Sequence, residues 1–185
     1  MVEIAMRSYW NEGPTEVSLN GLCQRAGVSK PSVYREFGNE DGLTHAALEN
    51  YGHCVLAKVL EILAGEDIFA GKIRKIAYLA AEDGAHESGC LFVKMRTAKN
   101  QMGEKTQILI AAMASMAVDA YANLLIEGRE TGEWPGNIPV KLGAAYLHAQ
   151  IGLALDQRAR GEDPRVVLAL ALCVLGLTDA QSEIA

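Results

Sequence analysis

Apolar residues in the first quarter of the chain recur at the spacing of an α-helix. Four of them occupy positions i, i+3, i+4 and i+7, which share one helical face: Leu19, Leu22, Cys23 and Ala26. Gly27 follows directly, and glycine adopts the positive φ that ends a helix more easily than other residues do. The pattern therefore predicts a short helix followed by a tight turn.

A second short helix is predicted immediately after this turn. Ser29 is a favourable N-cap, and Pro31 suits the first helical turn, where its missing N–H costs nothing. The predicted core shared by the two helices consists of Ala26, Val28, Val33 and Phe37. Two short helices around a tight turn form a helix-turn-helix, whose second helix enters the DNA major groove.

The outward face of the second helix is polar and carries positive charge. Between residues 18 and 37, the cations Arg25, Lys30 and Arg35 accompany one carboxylate, that of Glu36. A local excess of positive charge in a chain of net charge −6 favours contact with DNA phosphates. The predicted DNA-binding residues are Ser18, Ser29, Lys30, Pro31, Ser32, Tyr34 and Arg35.

Helical periodicity continues along the rest of the chain, and no stretch alternates as a strand does. Further helices are predicted over residues 2–11, 39–63, 67–82, 88–100, 104–131, 140–160 and 164–178. With the two short helices they make nine, so the sequence predicts an all-α fold. Gly52 lies inside the fourth helix, where glycine costs about 1 kcal/mol relative to alanine.

Composition limits the class of protein. Half of the 185 residues are hydrophobic, which is enough for a folded core. The net charge of −6 argues against a protein that coats nucleic acid without sequence preference. Ser115 and Asp119 interrupt the most apolar run, and no signal peptide is recognisable, so we expect a cytoplasmic protein without a membrane span.

Residue types that carry catalytic or metal chemistry are scattered. No phosphate-binding loop or hydrolase motif occurs, and the four histidines and four cysteines lack the spacing of metal ligands. We therefore expect neither an enzyme nor a bound metal or other cofactor. The cysteines are interpreted as buried structural thiols. A redox-sensing role stays open for Cys90, because it follows a glycine at a predicted helix start, where a thiolate is favoured.

The helix-turn-helix segment resembles a known family. The string AGVSKPSVYREF, followed six residues later by Leu43, is similar to the DNA-binding segment of the TetR family of transcriptional regulators. The similarity covers about residues 8–51. A later string, GCLFV at residues 89–93, resembles a segment of some members.

This resemblance implies an organisation and a function. Residues 1–45 are expected to form a DNA-binding domain, and residues 46–185 an effector-binding and dimerisation domain. Members act as homodimers on palindromic operator DNA, commonly as repressors that a small-molecule effector releases. A hydroxyl at the position of Ser18 contacts a phosphate in the family, and an N-cap role alone is the alternative.

Two features depart from the family pattern. Members usually have a phosphate-binding lysine at the start of the fourth helix, where this chain has Glu40 followed by Asp41. Carboxylates suit a helix N-terminus but repel phosphate. We also expect no basic N-terminal arm, because the first predicted helix begins at residue 2. The alternative function is therefore a helical interaction protein of the same fold with weakened or lost DNA binding.

The resemblance places the effector between the fifth and eighth helices. Methionines and small residues recur along the longest predicted helix, and methionine beside alanine lines adaptable apolar cavities. Ordinary core packing is the alternative for each of them. The candidate ligand-binding residues are Tyr78, Met95, Met113, Met116, Ala117, Tyr121, Tyr146 and Gln150.

The last two helices are apolar around most of their circumference, and residues 168–177 include no polar side chain. Surface helices normally have one polar face, so this excess predicts a partner. The resemblance implies the same helix pair of a second subunit, and burial within one subunit is the alternative. The candidate dimer-interface residues are Leu153, Val167, Leu170, Ala171 and Val174.

Overall fold

The computed structural model describes residues 1–177, and within that range it contains ten α-helices and no strand. The predicted all-α fold is confirmed. The helices are α1 (Val2–Glu12), α2 (Leu19–Ala26), α3 (Lys30–Phe37), α4 (Glu40–Tyr51), α5 (Ala57–Ala64), α6 (Phe69–Ala81), α7 (Leu91–Thr97), α8 (Glu104–Glu130), α9 (Val140–Ala159) and α10 (Arg165–Val174). Short 3₁₀ helices occupy Gly84–His86 and Lys99–Gln101.

The fourth predicted helix contains a π-helical turn, Gly52–Leu56, between α4 and α5. The turn begins at the glycine, which has a weak preference for the α-helix. A Cβ at residue 52 would lie 3.1 Å from Cε of Met113, so the missing side chain also leaves room for this methionine. If α4, this turn and α5 are counted as one helix, the described residues contain nine helices, as predicted.

Two predicted helices are much shorter in the structure. The helix predicted over residues 88–100 is α7 followed by a separate 3₁₀ turn. The last helix ends at Val174, and Gly176 follows with a φ of 73°. Glycine in this left-handed conformation ends a helix. The predicted end at Thr178 lies outside the described residues.

The chain packs as two compact units. The first comprises Met1–Ala57 and Cys90–Met113, and the second comprises Lys58–Gly89 and the described residues from 114 onward. In the first unit, α1 packs along α4, α2 and α3 pack beside them, and α7 contacts α1 and α4. Its fully buried side chains include Leu22, Leu43, Leu48, Leu91 and Met95. The functional division at residue 45 stays a prediction.

In the second unit, α6 and α10 pack against α9. Trp134, in the loop before α9, is buried, and its Nε1 donates a hydrogen bond to the carbonyl oxygen of Leu175 at 2.8 Å. Lys72 of α6 is also buried, and its ammonium lies 2.7 Å from the carboxylate of Glu127 on α8. Pairing allows the buried charge, since an unpaired ammonium would be strongly destabilising there.

Helix α8 is long and apolar enough to cross a membrane by length and composition. Its most apolar window has a mean hydropathy of 1.7, and 22% of that window is buried. The sequence predicts no span here, because Ser115 and Asp119 interrupt the apolar run. One such helix is weak evidence for a span, because long helices of soluble proteins meet the same criteria.

Candidate DNA-binding surface and neighbouring candidate sites

The turn between α2 and α3 has the geometry that its residues predict. Ser18 is the N-cap of α2, and its Oγ accepts a hydrogen bond from the N–H of Gly21 at 3.2 Å. Gly27 adopts the left-handed conformation, with φ 65° and ψ 29°. The N–H of Val28 donates to the carbonyl of Cys23 at 3.1 Å. Helix α2 therefore ends in a Schellman motif, which fixes the direction in which the chain enters α3.

Helix α3 begins with the predicted cap. The Oγ of Ser29 accepts a hydrogen bond from the N–H of Ser32 at 3.4 Å. Val33 is buried and Phe37 is half-buried, as expected for the inner face. Val28 is 38% exposed, however, so its predicted place in the shared core is wrong. In the Schellman turn the backbone N–H of Val28 bonds to the carbonyl of Cys23, while its side chain is exposed.

The seven predicted DNA-binding residues lie at the N-caps of α2 and α3 and along α3. The exposed ones are Ser18, Ser29, Pro31, Tyr34 and Arg35, and the half-buried ones are Lys30 and Ser32. Helix α3 therefore presents hydroxyl, ammonium and guanidinium groups. These are donors that phosphate oxygens and base edges accept. Their roles in binding stay predictions.

Arg25, one of the three cations of the predicted basic face, is paired with α1. Its guanidinium contacts both carboxylate oxygens of Glu12, one of them at 2.8 Å, and donates to Oγ of Ser8 at 2.7 Å. The hydrogen bonds from Arg25 lower the pKa of the Glu12 carboxyl. Arg25 thus joins α2 to α1, and its charge is balanced locally.

Tyr34 also has a carboxylate neighbour. Its hydroxyl donates a hydrogen bond to Oε1 of Glu40, at the start of α4, across 3.4 Å. Glu12 and Glu40, which lie outside residues 18–37, thus place carboxylates beside Arg25 and Tyr34. The local positive excess predicted from residues 18–37 is therefore offset by residues that lie just outside that segment.

The position of α3 depends on close contact with α4. Gly38 ends α3 with a φ of 83°. A Cβ at residue 42 would lie 2.0 Å from the carbonyl oxygen of Phe37, so only glycine permits this approach. The side chain of Asn39 accepts a hydrogen bond from the N–H of Gly42 at 2.8 Å and caps α4. The first turn of α4 is thus built directly onto the end of α3.

A family comparison agrees with this geometry. Residues 2–47, which include α1, α2, α3 and the first part of α4, match the model described as "Bacterial regulatory proteins, tetR family". Residues 2–47 are a DNA-binding segment of the TetR family. The chain is a transcriptional regulator with a helix-turn-helix DNA-binding fold. Helix α3 is the second helix of this motif, and we call it the recognition helix.

Known TetR-family proteins resemble the chain beyond this segment. The HTH-type transcriptional repressor ComR of Escherichia coli (strain K12) is 24% identical over 160 residues, which cover 83% of this chain and 76% of ComR. The reduced form of E. coli NemR matches with a TM-score of 0.79 at 22% identity, covering 94% and 92% of the two chains. A cysteine mutant of CifR, complexed with 26-bp double-strand operator DNA, matches with a TM-score of 0.71 at 17% identity, covering 95% and 93%. These two likenesses show the same fold.

The cysteines are not uniformly buried. Cys23 and Cys90 are buried as predicted, whereas Cys54 and Cys173 are exposed, so the interpretation of all four as buried thiols is wrong. Cys173 lies on α10. This helix is apolar on nearly every side, so its sequence does not show which residues face outward.

Cys90 is the N-cap of α7, as expected, but its surroundings do not favour a thiolate. Its Sγ lies 3.2 Å from the hydroxyl of Tyr51, and only 4% of the residue is exposed. Burial raises the pKa of the Cys90 thiol, although the Tyr51 hydroxyl and backbone N–H groups of α7 act in the opposite direction. The redox-responsive alternative therefore receives no support from this environment.

The candidate ligand-binding residues differ in burial. In the first unit, Met95 is fully buried and Met113 is half-buried against Gly52. In the second unit, Tyr121 is buried, while Tyr78 and Met116 are mainly exposed. The remaining three are half-buried, and they are Ala117, Tyr146 and Gln150. The assignment of these residues to an effector site stays a prediction.

A narrow pocket in the second unit is lined only by apolar residues of α6, α9 and α10. Its lining consists of Ile73, Ile76, Ala77, Leu147, Ile151, Leu168, Ala171 and Leu172. None of the eight candidate ligand-binding residues lies in this lining. The periodicity of α8 predicted a ligand site at its methionines, whereas the pocket lies where three other helices meet.

Large apolar side chains are exposed on both α9 and α10. We refer to these five residues as the α9–α10 face: Leu142, Leu153, Val166, Leu170 and Val174. Their exposed fractions range from 41% at Leu153 to 72% at Val166. Three of the predicted interface residues belong to this face. The prediction omitted Val166 and Leu142, although both are part of the apolar pattern of these helices.

The other two predicted interface residues lie elsewhere on α10. Val167 is half-buried, and only 1% of Ala171 is exposed. Ala171 shares the inner side of the helix with Leu168 and Leu172, and all three line the apolar pocket. Its predicted place on the surface is wrong, because it packs within its own subunit.

Proposed function

We propose that this protein is a homodimeric repressor that binds a palindromic operator through α3 and leaves it when a small apolar molecule binds. The α9–α10 face is the observation that carries the proposal. Five large apolar side chains exposed on two adjacent helices are unusual for a monomer and suit a twofold contact. A second copy of the chain covers the same residues on both subunits.

Dimerisation provides the geometry for operator recognition. Two recognition helices enter successive major grooves on one side of the duplex when they lie about 34–36 Å apart. A fixed dimer maintains this spacing, and its twofold symmetry requires an inverted repeat in the DNA. CifR bound to operator DNA and the repressor ComR are related proteins that support this proposal.

The effector is proposed to be small and apolar. The apolar pocket among α6, α9 and α10 supports this chemistry, because its lining offers no hydrogen-bonding side chain. The candidate residues of the second unit, on α6, α8 and α9, provide the second location. Binding at either location releases DNA if it favours an arrangement of α4 in which the two recognition helices no longer fit successive grooves.

We assign DNA binding to residues 1–45 and effector binding and dimerisation to residues 46–185. A regulator of this kind acts on chromosomal DNA, so we place it in the cytoplasm. It requires no catalytic residue and no cofactor for this function.

A second candidate function is a helical interaction protein with weak DNA binding. The contacts of Glu12 with Arg25 and of Glu40 with Tyr34 favour it, because they place carboxylates beside the donors that DNA would use. A weaker attraction between the protein and DNA phosphates lowers both the affinity for DNA and its dependence on salt.

DNA selection followed by a salt titration distinguishes the two functions. Double-stranded oligonucleotides are selected from a random pool with the full chain, and their affinity is then measured at increasing salt. A repressor enriches an inverted repeat and binds it at least about a thousandfold more tightly than random DNA. An interaction protein enriches no sequence.

A further inference from the structure

The first turn of α4 supplies the N-terminal cap of α8. The carboxylate of Asp41 accepts hydrogen bonds from the N–H of Lys105 at 2.9 Å and from the N–H of Thr106 at 3.2 Å. The hydroxyl of Thr106 donates to the same carboxylate at 2.6 Å. We call this set of three residues the Asp41 cap. All of it lies within the first unit.

The residue before α8 cannot cap this helix with a side chain, so another helix provides the cap. The first N–H groups of a helix have no partner within it and are usually satisfied by a side chain of the residue just before it. That residue is Gly103, which has no side chain. A Cβ at residue 103 would lie 2.2 Å from Cγ of Asp41 and 2.5 Å from its Cβ. Gly103 therefore makes room for a cap from Asp41, which lies 64 positions before Lys105 in the chain.

Burial and charge show that this contact is fully formed. Thr106 has no exposed surface. Burial of Asp41 opposes ionisation, yet the hydrogen bonds from Thr106 and Lys105 lower the pKa of its carboxyl. The carboxylate is thus ionised at the positive end of the α8 dipole, where a negative charge is stabilising. Asp41 therefore has a structural role within the protein in addition to the expected repulsion of a DNA phosphate.

The same turn of α4 also carries the recognition helix. Gly42, the next residue, lies against the carbonyl of Phe37 at the end of α3. Neighbouring residues of one helical turn therefore contact α8 on one side and α3 on the other. A displacement of the first turn of α8 moves the first turn of α4 and, with it, α3.

We propose that Asp41 is a positioning residue for DNA binding, which joins the recognition helix to the first turn of α8. This inference rests on the proposed function only in that DNA affinity is one of its tests. Helix α8 continues from Glu104 to Glu130 and so extends into the chain of the second unit. A ligand that shifts or unwinds the first turn of α8 changes the position of α3 through the Asp41 cap, without bending α4.

An exchange of the two residues separates helix capping from positioning. Asp41→Gly removes the cap, whereas the double variant Asp41→Gly, Gly103→Asp places an aspartate at the N-cap of α8 itself. Gly103 does not have a positive φ, so an aspartate fits its backbone once the side chain at position 41 is gone. Asp41→Asn, which retains an acceptor oxygen, is the conservative variant.

We measure the unfolding midpoint, the affinity for the selected operator and the hydrogen exchange of amides in α3 and at Lys105 and Thr106. Asp41→Gly should lower the midpoint, weaken DNA binding about tenfold and speed exchange in α3. The double variant should regain the midpoint and the protection of the α8 amides but neither the affinity nor the protection of α3. Asp41→Asn should keep most of all three.

Recovery of wild-type DNA affinity in the double variant would overturn the proposal, because Asp41 would then act only as a cap. If the wild-type chain selects no DNA, the proposed function fails, and hydrogen exchange decides the inference by itself. Faster exchange of α3 in the double variant then supports the joint between α3 and α8, and unchanged exchange refutes it. If Asp41→Gly does not fold, Asp41→Asn and the double variant provide the same comparison.

Discussion

The hydroxyl of Tyr34 and the carboxylate of Glu40 form a hydrogen bond of 3.4 Å between the recognition helix and the start of α4. Both residues are exposed, so this contact lies on the surface that is proposed to meet DNA. A phosphate that binds Tyr34 must displace the Glu40 carboxylate and approach its negative charge. Glu40 is therefore expected to reduce DNA affinity both by competition and by repulsion.

Glu40→Lys should increase operator affinity at physiological salt and steepen the salt dependence by about one counterion. The change removes a repulsive charge, frees the Tyr34 hydroxyl and introduces a cation at a helix start near the DNA. Fluorescence anisotropy at several salt concentrations measures both effects. Glu49→Lys is the matched control, since it makes the same charge change at an exposed position later in α4. An equal gain in both variants would mean that only the net charge of the chain matters.

Arg35 and Tyr34 should differ in how their loss affects sequence preference. Arg35→Ala is expected to cost about 1–3 kcal/mol at one base position and to relax the choice of base there, because a guanidinium recognises a base edge. Tyr34→Phe should weaken binding to operator and random DNA alike, because a phosphate contact carries no sequence information. Binding to a set of single-base operator variants measures this difference. Equal losses of Arg35→Ala on operator and random DNA would refute base recognition by Arg35.

Val174→Glu should convert the dimer into a monomer, because it places a charge in the middle of an apolar contact. Operator affinity should fall with it, since a monomer presents a single recognition helix. Light scattering gives the mass, and anisotropy gives the affinity. Ile68→Glu is the control, as it introduces the same charge at an exposed apolar residue outside α9 and α10. A Val174→Glu chain that stays dimeric, or that binds the operator fully as a monomer, contradicts the proposed interface.

His86 should make folding stability depend on pH. Burial lowers the pKa of His86, Arg158 and Lys58 reinforce this change, and Asp83 opposes it. The unfolded chain therefore takes up a proton near the ordinary value of 6.5 while the folded chain does not, so stability falls as pH falls through that value. Urea unfolding at about pH 7.5 and about pH 5.5 should show a smaller loss for His86→Gln than for the wild type. The exposed His53→Gln variant is the control, and an identical loss in all three chains would contradict the assignment.

Local signals made the helix-turn-helix predictable. Ser18, Gly27 and Ser29 act on backbone groups within five positions along the chain. The serine hydroxyls make the caps, and the left-handed conformation of the glycine makes the turn. The pairing of Arg25 with Glu12 spans 13 positions, and the Asp41 cap spans 64. No spacing rule connects residues so far apart, so neither contact followed from the sequence.

The outward face of α10 was predictable only in part for a different reason. Periodicity shows which residues share a helical face, but α10 is apolar on nearly every side. The pattern therefore did not distinguish Leu170, which is 61% exposed, from its buried neighbour Ala171. Packing of α10 against α9 decides between them, and that packing is a property of the folded second unit.

One dimer is proposed to recognise one inverted repeat with its two recognition helices. The most direct test compares the affinity for the selected operator with the affinity for the same operator after insertion of about five base pairs, half a helical turn, between its half-sites. The insertion keeps every base contact available but moves the two half-sites to opposite sides of the duplex. We predict that it weakens binding at least about a hundredfold, to the level of a single half-site. Equal affinity for the two DNA molecules would contradict the account.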